Sequence, residues 1–143
     1  MKIKSFSLVV AASAAVAGCQ QTGAVVTGNG STLARTGAIT VLHGATQKLG
    51  FYASINPDCS SLGLPVGRVV TPPAHGEIRI VHEEGFAYFP PNNPRSRCNT
   101  QRVPGIRVIY QAAPDYRGPD AYAVEIFHVN GVLFRNAINV DVQ

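Results

Sequence analysis

The sequence predicts an all-β domain, and three observations carry that expectation. No segment sustains helical spacing over three turns, short runs rich in β-branched and aromatic residues recur along the chain, and Gly, Pro or Asn punctuates them. The 14 glycines and 10 prolines, with 45% apolar and only 14% charged residues, are the composition of a turn-rich globular chain rather than a disordered one. Strands at this spacing build a sandwich or a barrel.

The first element is a leader over residues 1–18. Lys2 and Lys4 give a positive start, and an almost unbroken apolar run from Leu8 to Ala17 ends in small residues, the layout of a secretory signal. The run is about half the roughly 20 residues that a membrane span needs. Its end, Val16-Ala17-Gly18-Cys19, resembles the lipobox of bacterial lipoproteins. The resemblance implies that the Cys19 thiol receives a diacylglycerol, that the signal is cut before it, and that the new amino terminus is acylated, palmitate being a typical chain. The membrane is then a partner through the lipid on Cys19, and two or three acyl chains exceed what stable anchoring requires. Gln20 stands where lipoproteins retained in the inner membrane of enteric bacteria carry Asp, which implies the outer membrane, with the domain facing the periplasm.

Residues 19–33 follow. The stretch "QQTGAVVTGNGSTLAR" has neither period nor bulky core residues and reads as a flexible tether, leaving 34–143 as one small domain. Of 12 basic residues, Lys2 and Lys4 leave with the leader, so ten stand against eight acidic ones. Export to the envelope, more than this small excess, excludes nucleic acid as a partner.

Within the domain, strands are expected at Ala38–His43, Leu49–Ile55, Gly67–Thr71, Glu77–His82, Phe86–Phe89, Ile106–Gln111, Asp120–His128 and Leu133–Val142. Register can be derived for the last pair. A two-residue Asn130-Gly131 turn would put the two apolar faces on opposite sides of the sheet. A three-residue loop, Val129-Asn130-Gly131 with Gly131 left-handed, instead sets Ile126 opposite Phe134 and Val124 opposite Asn136. The same device applied to Glu83-Glu84-Gly85 sets Ile80 opposite Tyr88 and requires Gly85 to be left-handed.

Pro73-Ala74-His75-Gly76, Phe86-Ala87-Tyr88-Phe89-Pro90, Tyr110 and "PDYRGPDAYAV" from Pro114 to Val124 are similar to the P-x-H-G, F-x-Y-x-P and G-x-D-x-F-x-Y pattern of bacterial Ig-like and cadherin-like domains. The resemblance implies an Ig-like antiparallel β-sandwich, with Gly76 and Gly118 in tight turns, Asp120 as a strand-entry cap and Tyr122 in the core. It departs from the pattern at Val124, where a second aromatic is usual, and in the 23 residues Pro91–Ala113, a longer connection than the family has. Some cadherin-like relatives bind calcium between repeats. Here the eight acidic residues are scattered with no D-x-D cluster, so no metal is expected.

With Cys19 taken by lipid, Cys59 and Cys98 remain, and in an oxidising periplasm they should form a disulfide. Neither C-x-x-C nor H-x-x-x-H spacing accompanies them, which argues against zinc.

No constellation for catalysis is visible. His75 belongs to the P-x-H-G turn, and His82 and His128 precede hairpin loops with inward parity, all readable as structural histidines at sheet ends. There is no nucleophile elbow and no nucleotide-binding glycine loop, so neither an enzyme nor a cofactor is expected. One charge asymmetry stands out: no acidic residue lies between Glu84 and Asp115, whereas Arg95, Arg97, Arg102 and Arg107 do. They form a candidate surface for an anionic envelope component or an acidic protein, because guanidinium groups bind carboxylate and phosphate bidentately. The expected function is that of an envelope lipoprotein with a non-enzymatic binding or structural domain. The alternative is a periplasmic inhibitor of an envelope enzyme, acting through the loop Pro91 to Pro104.

Overall fold

The computed structural model describes residues 24–27 and 30–143 of the chain, with side chains from Ser31 onward. The leader and Cys19 lie outside the described residues, as does much of the expected tether. The described residues form ten strands: β1 (Ala24–Thr27), β2 (Gly30–Val41), β3 (Thr46–Tyr52), β4 (Ser54–Ile55), β5 (Ser61–Gly63), β6 (Val66–Thr71), β7 (Gly76–Phe86), β8 (Arg102–Ala112), β9 (Gly118–Phe127) and β10 (Leu133–Val142). A short 3-10 helix spans Ser96–Thr100.

One sheet has the order β1-β2-β10-β9-β6 and the other β3-β8-β7, with β4 and β5 a separate ribbon. Lettering β2, β3 and β6 to β10 as A to G gives sheets G-F-C and B-E-D, the Ig arrangement. Strand A lies on the edge of G rather than beside B. That pair, β2 with β10, is parallel, a departure from the all-antiparallel expectation. The β2 strand also starts at Gly30, inside the expected tether, and β1 pairs with it. The ten-residue parallel ladder to β10 and the antiparallel ladder to β1 recruit polar Ser31 and Thr32, which carry no apolar pattern of their own.

Inward residues of the two sheets meet in one core. Ile106, Val108 and Tyr110 of β8 face Tyr122, Val124 and Ile126 of β9, with Val140 and Val142 of β10 and Val41 of β2 completing it. Tyr110 and Tyr122 stack with ring centroids 5.9 Å apart. Asn136, the one polar side chain on the inner stripe of β10, donates to the Tyr52 hydroxyl at 3.2 Å.

The β9–β10 hairpin has the derived register, Ile126 opposite Phe134 and Val124 opposite Asn136. Gly131 has φ 83°, and a Cβ there would meet nothing within 4 Å. Backbone conformation is therefore the whole requirement. Gly131→Val is expected to cost about 1–2 kcal/mol in a urea titration, because a β-branched residue is forced left-handed. An unchanged midpoint would show that the turn can rearrange freely.

The other derived hairpin does not exist. Residues 76–86 run as a single strand along β8, with Ile80 opposite Val108 and Glu83 opposite Gly105. Glu83 accepts from Arg107 and Lys48, so cross-strand cations hold in a ladder what composition alone presents as a turn. Gly85 is absent from the residues with positive φ; it is buried beneath Phe51, whose ring would lie 3.0 Å from a Cβ. Past Phe86 the ladder ends, and Tyr88 is 91% exposed. The expected Leu49–Ile55 strand is likewise divided into β3 and β4.

Candidate functional site

Asp120, at the start of β9, holds together the residues of the Ig-like pattern. Its carboxylate accepts from the amides of Ala74 (2.9 Å), His75 (3.1 Å) and Ala121 (2.8 Å), and from the Tyr110 hydroxyl (2.9 Å). Burial alone would raise its pKa, but these donors outweigh burial and hold the carboxyl below its ordinary value. His75 stacks on Tyr116, centroids 3.6 Å apart. Gly76 is demanded by close approach rather than by a turn: a Cβ would sit 2.7 Å from the Tyr110 ring and the Gln111 carbonyl. Gly118 is left-handed at φ 130°, as a tight turn requires.

On the outer face of β9, Glu125 is covered by Arg68 of β6 and Arg135 of β10, its cross-strand neighbours on either side. Arg68 donates from Nε at 2.7 Å and so does Arg135. The hydrogen bond from Arg135 leads in lowering the Glu125 pKa against the opposing effect of burial, and Arg68 adds to it. One carboxylate between two guanidiniums leaves a surplus positive charge on this face.

Of the histidines, His128 alone joins a polar pair of possible chemical interest. Its Nδ1 lies 3.1 Å from the Ser54 hydroxyl, which also accepts from the Val129 amide at 3.3 Å. Burial lowers the His128 pKa, which keeps the ring neutral. Its Nε2 is buried with no hydrogen-bond partner, and the ring meets Phe134 edge-on at 4.9 Å. No carboxylate among the described residues bonds either nitrogen, so Ser54 and His128 clip β4 to the β9–β10 hairpin. Sequence spacing could not signal a pair 74 residues apart. Both residues line a cavity of about 240 Å³, with Ile55, Phe89, Arg95 and Phe134 among its walls. His82 has the expected parity, opposite Ile106, yet is exposed and lies in the middle of β7 rather than at a sheet end, because the hairpin loop expected after it is not formed. Among the described residues no group of three potential metal ligands converges.

Cys59 and Cys98 form the expected disulfide, and Cys98 is fully buried. The crosslinked segment between β7 and β8 is laid against the body of the domain. Asn99 closes it by bonding both the amide and the carbonyl of Phe89, each at 2.9 Å. Arg95 donates from Nε to the Ile55 carbonyl (2.6 Å) and Arg97 to that of Pro57 (2.7 Å).

The four arginines therefore divide. Arg107 is structural: it pairs with Glu83 at 2.7 Å, donates to the Leu49 carbonyl and lies over the Phe51 ring. Arg95, Arg97 and Arg102 each use one nitrogen on a main-chain carbonyl, Arg102 reaching that of Glu84. None of these three forms a salt bridge among the described residues, and Arg97 and Arg102 are exposed.

No protein-family model, no curated protein and no solved structure matches the chain.

Proposed function

We propose that the protein is a lipid-anchored envelope protein of the outer membrane whose Ig-like sandwich acts by binding rather than by catalysis. The observation that carries this reading is the crosslinked end of the domain. There a disulfide fixes a loop whose Arg95 and Arg97, with Arg102 just beyond it at the start of β8, form no salt bridge among the described residues. A loop fixed in this way loses little entropy when it meets a partner. The disulfide fits an exported protein, and the Val16 to Cys19 motif fits lipid attachment. Inhibition by insertion of Pro91–Pro104 into a cleft has less support, because Arg95 and Arg97 hold this segment down on Ile55 and Pro57.

Labelling with radioactive palmitate tests the anchor. The natural chain is expected to take up label and to sediment with membranes, and Cys19→Ser is expected to do neither. Label persisting in Cys19→Ser would refute the assignment of Cys19.

A further inference from the structure

We infer that the disulfide-bearing end of the sandwich is itself a membrane-contacting surface, which docks on an anionic phospholipid bilayer. This rests on the anchor reading and adds a second contact to it.

Three observations converge on that end. The first is where the apolar surface lies. Val66 (66% exposed), Phe86 (56%), Tyr88 (91%), Phe127 and Val129 are among the exposed large hydrophobics of the described residues. Register places them together. Val66 pairs with Phe127, which pairs with Leu133, which pairs with Thr32 at the start of β2, while Phe86 pairs with Arg102 at the start of β8. The cavity that joins Leu33, Phe89 and His128 brings the two sheets' contributions to one end. Leu42, by contrast, lies beyond the opposite end of β2. Aromatic and aliphatic side chains clustered in this way exceed the scattered exposure of a soluble surface.

The second is charge. Arg95, Arg97 and Arg102 ring the same end, and Arg68 and Arg135 share a single Glu125 two residues in from Phe127. Two acidic side chains share this end, Glu84 and Asp58, which accepts from the hydroxyl and the amide of Ser60 and also feels the charge of Arg97, so the three arginines outnumber them. Guanidinium groups beside aromatic rings suit the headgroup layer of an anionic membrane, where each cation adds to the attraction.

The third is reach. Ala24 of β1 lies opposite Leu33 of β2, and Leu33 lines the cavity at this end. Cys19 precedes Ala24 by five residues, so even fully extended it lies at most about 18 Å away. A lipid on Cys19 thus leaves this end within reach of the bilayer.

The chain contains no tryptophan, so a single introduced one reports its own surroundings. Tyr88→Trp and Leu42→Trp proteins would be purified in lipidated form and reconstituted into vesicles containing phosphatidylglycerol with brominated acyl chains. The Tyr88→Trp emission is expected to shift to the blue and to be quenched, and that of Leu42→Trp to do neither. Vesicles of phosphatidylcholine alone, or high salt, should weaken the quenching. Adding Arg97→Glu and Arg102→Glu should lower association of the domain with the surface by roughly tenfold or more. A thermal melt of each variant confirms folding, and Arg95, the less exposed of the two arginines that hold the loop on Ile55 and Pro57, is left in place. If palmitate labels the protein but the two tryptophans respond alike, the surface is refuted while the anchor stands. If no palmitate is incorporated, the same variants are added to the vesicles from solution. Selective quenching of Tyr88→Trp then upholds the surface without the anchor, and its absence refutes both.

Discussion

Asp120→Ala is expected to lower stability by about 3 kcal/mol. The reason is the number of groups that lose their acceptor together. The Ala74 and His75 amides lie in an exposed turn and can turn to water, but Tyr110 is fully buried and its hydroxyl cannot. A hydrogen bond to a charged group contributes about 1.5–3 kcal/mol, and leaving a buried partner unsatisfied costs about as much. Tyr110→Phe, which deletes only the hydroxyl and leaves Asp120 its three amide donors, should cost about 1.5 kcal/mol, the low end of that range. The pH dependence has a fixed sign. Because the folded pKa of Asp120 is depressed, its contribution is complete above the unfolded value near 3.9 and is lost as pH falls through the lower folded value. Chemical denaturation of Asp120→Asn between pH 5 and about 2.5 should therefore show a flatter acid limb than the natural protein. Only a flattening is expected, since Glu83 and Glu125 have depressed pKa values too and retain their share. An Asp120→Ala protein within about 0.5 kcal/mol of the natural one would show that the carboxylate merely occupies the turn.

What the sequence made legible follows from how local each signal is. The β9–β10 register was derivable because a period-2 apolar pattern on both strands and one glycine leave a single consistent loop length. The Pro73–Gly76 turn and Asp120 were visible as a pattern, although the pattern does not say that the carboxylate binds the turn's amides. The β7 strand was misread because Glu83-Glu84-Gly85 has the composition of a turn, and its ladder is held by Arg107 and Lys48, far away in sequence. The start of β2 was missed for a similar reason: its partner in the sheet is a strand about 100 residues later. Four arginines in a row of residues looked like one surface. Only the fold assigns Arg107 to Glu83 and leaves Arg97 and Arg102 facing outward.

Cys98→Ala is expected to lower stability by about 2–4 kcal/mol and to loosen the end of the domain that carries the arginines. Cys59 and Cys98 are 39 residues apart, and the chain-entropy model gives about 4 kcal/mol for closing such a loop. Two native features act in opposite directions on that figure. Cys59 sits at φ 72°, a left-handed conformation that costs a non-glycine residue about 1–2 kcal/mol and that reduction would allow to relax. Cys98 packs among Ala53, Ile55, Ala87 and Val103, and truncating a fully buried side chain there leaves a small void that adds to the loss. Cys59→Ala lacks the second penalty, so it should be the milder of the two substitutions although it breaks the same bond. Reductant should destabilise the natural protein and leave both variants unchanged. The region that opens first is also predicted: amides of residues 87–101 should exchange faster in Cys98→Ala, while those of β9 and β10, held by their own ladder, keep their protection. Equal losses for the two cysteine variants would mean that loop closure alone accounts for the crosslink. Uniform loss of protection would mean that this end and the main core unfold as one unit.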